Sequence, residues 1–85
     1  MLTLDKFEEA SKIVSEVTLE TKLIYSDFLS EKCGNSIYLK PENMQLTGAY
    51  KVRGAYYKIS TLTAEERKKG LITASAGNHA QGVAY

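Results

Sequence analysis

Two stretches about 20 residues apart hold the side chains from which chemistry could be built: TGAYKVRGA around Lys51, and TASAGNHAQG from Thr73 to Gly82. Lys51 brings a primary amine, and Gly48, Ala49, Gly54 and Ala55 around it leave room for a bulky group to approach. The spacing places Lys51 in the first turn of a helix, where the positive end of the peptide dipoles disfavours a further positive charge. Both features suit an amine that works neutral and condenses with a carbonyl. They are also compatible with a surface lysine whose stem lies along an apolar edge. In the second stretch the residues from Ala74 to Gly77 are all tiny, and a strand running through such a turn into a helix start exposes backbone N–H groups to an anion. An ordinary strand-to-helix turn has the same composition. Together the two stretches describe an amine nucleophile facing a carboxylate or phosphate, and so a catalytic chain more than a binding module. Neither GxGxxG nor GxxxxGK[ST] is present, because Gly48 and Gly54 bracket Lys51 at the wrong spacing.

The residues around these stretches are less specific. On the residues alone Asn78 reads as a cap for the last helix and His79 as a polar side chain near the turn. Arg53 suits an ion pair with a carboxylate on a neighbouring element. The six tyrosines read as packing, although Tyr50 beside Lys51 could lie against a cofactor ring. Cys33 is the only cysteine and His79 the only histidine, so no disulfide framework or zinc-ligand spacing exists. Cys33, next to Gly34 at a predicted helix end, is expected to be a small core residue.

Composition narrows the classes further. Eleven basic and ten acidic side chains are interspersed, with no basic stripe interleaved with aromatics, so nucleic-acid binding is not expected. No apolar run approaches the ~18 residues of a membrane span, and the N-terminal MLTLDKFEEA is acidic where a secretory leader is basic, so a reducing cytoplasm is the expected compartment. The HAQGVAY pattern has no helix stop signal before Tyr85, from which an N-terminal piece of a longer protein is expected.

The elements that must position these residues follow from local signals. A first helix is expected from Leu4 or Asp5, capped by Asp5 with Glu8 answering, its apolar stripe formed by Phe7, Ala10, Ile13, Val14 and Val17. Residues 23 to 25 read as a short strand, Ser26 as the cap of a helix ended by Gly34, and 36 to 40 as a strand stopped by Pro41. A helix is expected over 49 to 60 with Val52, Ala55, Tyr56 and Ile59 on one face. Thr63 and Glu66 form a capping box, and LITA at 71 to 74 is expected to be a brief buried strand before the last helix. This order argues for an α/β layer with a parallel sheet.

The run LKPENMQLTGAYKVRGAYYKIS, followed after a short helix by GLITASAGNHAQGVAY, resembles the threonine dehydratase family of pyridoxal-phosphate enzymes of the tryptophan-synthase-β fold type. The resemblance covers essentially the whole chain. It implies the N-terminal part of a two-domain α/β fold with parallel sheets flanked by helices. Residues 1 to 60 would begin the large domain and carry the lysine helix; residues 61 to 85 would begin the small one. By this resemblance Lys51 is the Schiff-base lysine for pyridoxal 5'-phosphate, Asn78 hydrogen-bonds the ring's phenolic oxygen, and Ser75, Ala76, Gly77, Asn78 and His79 bind the substrate carboxylate. The family's phosphate-holding loop and the residue facing the pyridine nitrogen lie outside these 85 residues.

The implied reaction is elimination of water from L-threonine, with L-serine as a further substrate, to give 2-oxobutanoate and ammonia, Lys51 acting as the α-proton base. Lys22 and Ala49-Tyr50 depart from common family residues at places that tolerate the change. Related serine racemases carry a serine at the position of Ala76. Racemisation needs proton transfer on both faces and elimination only one base, so Ala76 favours a dehydratase over a racemase, with a serine dehydratase or serine racemase of the same fold type as the alternative enzymes. A non-catalytic fragment is the alternative from another class. The resemblance also implies a homo-oligomer at full length and, in the biodegradative branch, an AMP site for which Leu46, Thr47 and Gln81 are the candidates.

Overall fold

The computed structural model describes every residue from Met1 to Tyr85. Helix α1 spans Leu4–Val14, strand β1 Ile24–Tyr25, helix α2 Asp27–Cys33 and strand β2 Tyr38–Leu39. A 3-10 turn over Glu42–Met44 leads to helix α3 at Lys51–Ser60, followed by α4 at Ala64–Lys68 and α5 at Asn78–Ala84. No helix is long and apolar enough to cross a membrane.

The helix ends that depend on neighbours in sequence form as expected. Ser26 Oγ accepts the N–H of Leu29 at 3.2 Å, and Gly34 closes α2 in the left-handed conformation at φ 70°, where a Cβ would be strained. Thr63 and Glu66 complete a reciprocal capping box on α4. Asp5 is not a cap: Thr3 takes that position without a side-chain bond, and Asp5 lies inside the first turn, where its charge still favours the helix dipole.

The only sheet is the antiparallel pair β1–β2, with Ile24 opposite Leu39 and Tyr25 opposite Tyr38, whose rings meet edge-on at 5.3 Å. The 71 to 74 run forms no strand. Ile72 is fully exposed and Leu71 half exposed, because no other segment runs beside them to take their backbone hydrogen bonds. Cys33 is likewise exposed instead of buried, since no element packs over the end of α2.

Helix α3 is the centre of what packing there is. Val52 and Ala55 on its predicted face are buried, and Val14 of α1 is the third buried apolar residue. Phe7, Ala10 and Val14 line a hollow against Gly54 and Tyr57, while α5 covers the Val52–Ala55 side. Gly82 suits the close α3–α5 approach: a Cβ there would lie tightly at 3.1 Å from Ala55 Cβ and 3.2 Å from the Lys51 carbonyl oxygen.

Polar contacts seat the segment before α3. Gln45, buried, donates to the Leu19 carbonyl at 2.7 Å and accepts the Leu19 N–H at 3.1 Å, so its amide completes one residue of an otherwise unpaired backbone. Glu42 accepts from Arg53 Nε at 2.8 Å and Nη2 at 2.9 Å, and also from the Thr21 hydroxyl. Lys40 donates to the Thr21 carbonyl.

The hydrogen bond from Arg53 holds the Glu42 carboxyl well below the usual range, at about 2, against the opposing effect of burial. Because this pKa is depressed on folding, the pair's stabilisation is fully present above the ordinary value of 4.5 and is lost as pH falls towards 2. A carbon-detected NMR titration of the chain should therefore give Glu42 a midpoint near 2, returning towards 4.5 in Arg53→Met.

Much apolar surface stays uncovered. The radius of gyration is 16.0 Å, where about 12 Å is expected for a compact chain of this length. The accessible surface is 6796 Å², against roughly 5000 Å² for a folded monomer of this mass. Heated by itself, the 85-residue chain should lose its helical circular dichroism gradually and bind an apolar dye beforehand. A sharp two-state melt without dye binding would contradict this.

Candidate active site

Lys51 is the first residue of α3 and is half-buried. Gly48, at φ 70°, turns the chain into the helix after its N–H bonds the Gln45 carbonyl at 2.8 Å, so the small residues before Lys51 are a tight turn and not a flexible lead. The amine has no carboxylate within ion-pair distance; the chain's one ion pair joins Arg53 to Glu42. The amine stands over the neutral ring of Tyr50, with the centroid 5.1 Å from Nζ. Tyr50 is exposed and stands at the start of the helix without capping it through its side chain.

The 75 to 79 turn sits at the beginning of α5. Gly77 occupies the cap position and Asn78 is the first helical residue, so Asn78 does not cap the helix as its residue type alone would have it. The capping bonds come from Ser75, whose hydroxyl accepts the N–H of Gly77 at 3.0 Å and of Ala80 at 3.2 Å. This withdraws the Gly77 N–H from ligand binding. The N–H groups of Ala76, Asn78 and His79 have no acceptor in the chain, and Ser75, Ala76, Asn78 and His79 are all exposed. The Asn78 amide also makes no internal hydrogen bond, which leaves both its donor and its acceptor for a ligand.

Gly82 joins the two motifs. One turn beyond Asn78 it lies against the Lys51 carbonyl, so the free N–H groups and the lysine stand on adjacent, directly packed helices. A glycine inside a helix costs about 1 kcal/mol relative to alanine, and that cost was the signal in the sequence for such a close approach. Glu42 and Gln45 had no comparable signal, because their partners lie in segments distant in sequence.

The remaining candidates separate by face of α5. His79 and Val83 border a hollow of ≈ 250 Å³ against Ile59, Leu62 and Leu71. Gln81 instead shares an open recess of ≈ 550 Å³ with Leu46, Thr47, Ala84 and Tyr85. Leu46, Thr47 and Gln81 are thus brought together, away from the hollow that His79 borders.

The chain is similar to known proteins over nearly its whole length. The model of a family described as pyridoxal-phosphate dependent enzyme matches residues 14–85. The L-threonine ammonia-lyase of Thermotoga maritima is 56% identical over 84 residues, covering 99% of this chain and 21% of that protein. The catabolic L-threonine dehydratase of Escherichia coli is 45% identical, over 96% of this chain and 25% of its own length. Among solved structures, maize serine racemase superimposes with a TM-score of 0.82 at 34% identity, over 95% of this chain and 26% of that one. The processed form of threonine deaminase isoform 2 from Solanum lycopersicum gives 0.73 at 41% identity, over 98% and 26%. The chain spans about a fifth to a quarter of the length of these relatives. With a family model matching residues 14–85, the chain belongs to the pyridoxal-phosphate dependent enzymes.

Proposed function

We propose that this chain supplies the lysine and the substrate-carboxylate turn of a pyridoxal-phosphate-dependent L-threonine ammonia-lyase, which eliminates water from L-threonine to give 2-oxobutanoate and ammonia. The observation that carries this reading is the Lys51 amine, free of any carboxylate, on a helix packed through Gly82 against the start of α5. The names of the relatives in Thermotoga maritima and Escherichia coli support the choice of substrate.

The residues present fit the aldehyde end of the cofactor. Lys51 would hold it, Tyr50 would flank the ring, and the unbonded Asn78 amide would meet the ring's phenolic oxygen. When bound, pyridoxal phosphate supplies an electron sink for the charge left at the substrate's α-carbon. The N–H groups of Ala76, Asn78 and His79 take the substrate carboxylate, which orients the α-C–H bond towards Lys51. Ser75 contributes by holding the turn through its two accepted bonds. The Lys51 amine then removes the α-proton as general base. Ala76 has no hydroxyl with which to move a proton on the opposite face, so the site is built for elimination and not for racemisation.

Borohydride reduction of the full-length holoenzyme followed by peptide mapping should place the cofactor on Lys51, and Lys51→Ala should lower turnover by at least ~10²-fold. L-threonine should be turned over with ammonia release, and serine should not be racemised. A cofactor adduct on another lysine would overturn the assignment.

A regulatory site belongs to the same reading. Leu46, Thr47 and Gln81 share one open surface recess, and AMP is the effector proposed for it. AMP should lower the KM for L-threonine in the full-length enzyme, and Gln81→Ala should abolish that shift without changing turnover in its absence. An enzyme indifferent to AMP would refute the site.

A further inference from the structure

Lys51 stands at a helix start that no side chain caps: Tyr50 holds the cap position, and only its carbonyl is used, by the Arg53 N–H at 3.2 Å. Something else must fix the rotation of α3. On one side, Gly82 of α5 rests on the Lys51 carbonyl and Ala55. Arg53, two residues on, projects about 200° around the helix from Lys51, and so grips from the opposite side. Its guanidinium makes two bonds to the Glu42 carboxylate, at 2.8 and 2.9 Å, and such a fork sets both distance and plane.

Glu42 is itself immobilised. Pro41 and the 3-10 turn hold its backbone, and the Thr21 hydroxyl donates to the same carboxylate. Gln45, three residues later, is tied to both backbone groups of Leu19. The 19 to 21 segment follows α1, which packs on α3 through Val14, so the contacts form a closed loop running from α3 through Glu42 and Thr21 back to α3. Turning α3 about its axis to swing the Lys51 side chain would break the Arg53 fork.

We infer that Glu42 is a positioning residue for Lys51, acting through the two-bond fork with Arg53. This rests on Lys51 being the Schiff-base lysine. It assigns Glu42 no contact with substrate or cofactor. A lysine in place of Arg53 keeps the charge but not the fork, so Arg53→Lys should fail as Glu42→Gln does.

The test uses the full-length apoenzyme, to which pyridoxal phosphate is added while absorbance of the lysine Schiff base is followed. Glu42→Gln and Arg53→Lys should each slow its formation by roughly 10- to 100-fold and lower kcat similarly with KM nearly unchanged, since an ångström of misplacement costs about that much. The double variant should be no slower than either single one, because the two side chains act as a unit. Thr63→Ala, which removes the α4 capping box and destabilises without touching this network, should leave the Schiff-base rate unchanged. If wild-type peptide mapping places the cofactor elsewhere, the functional reading fails. If it places the cofactor on Lys51 but Glu42→Gln forms the Schiff base at the wild-type rate, or Thr63→Ala slows it equally, the positioning role is wrong.

Discussion

The missing side chain of Gly82 is the constraint on which the site depends. A Cβ here would lie only 3.1 Å from Ala55 and 3.2 Å from the Lys51 carbonyl, so even alanine would need the helices to ease apart by a few tenths of an ångström. The lysine and the turn of free N–H groups stand together because these two helices pack more extensively than any other pair of elements. Val52 and Ala55 are buried by this approach, so the small core and the geometry of the site arise from one contact. Packing close to backbone is unforgiving, since a carbonyl cannot swing aside as a flexible side chain can.

The polar network on the other side of α3 has a different physical character. Its bonds are directional, and its central carboxylate is ionised far below the usual range because Arg53 bonds it. The fork with Arg53 specifies an orientation, where an apolar contact would allow the helix to roll. Arg53 remains partly exposed, so the ion pair's contribution to overall stability is screened, while its geometric role is not. The chain thus uses a glycine for proximity and an ion pair for direction.

Large apolar areas face outward, among them Phe7, Ile24, Phe28, Leu39 and Ile72. They occur on α1, on the β1–β2 pair, on α2 and on the 71 to 74 run. The two residues of each observed strand pair only with each other, so the sheet covers little of this surface.

What was legible in the sequence was whatever depends on neighbours three or four residues apart. The Ser26 cap, the Gly34 stop, the Thr63–Glu66 box, the Val52–Ala55 face and the two motifs themselves are of this kind, and a pattern of residue types is enough to specify them. The resemblance to a family was carried by those same motifs. Tertiary structure alone decided that Arg53 meets Glu42, that Gln45 serves Leu19 and that Gly82 seats α5 on Lys51. It also decided that Cys33 and the 71 to 74 run lie exposed. These outcomes depend on which distant surface arrives, and local propensity contains no term for that.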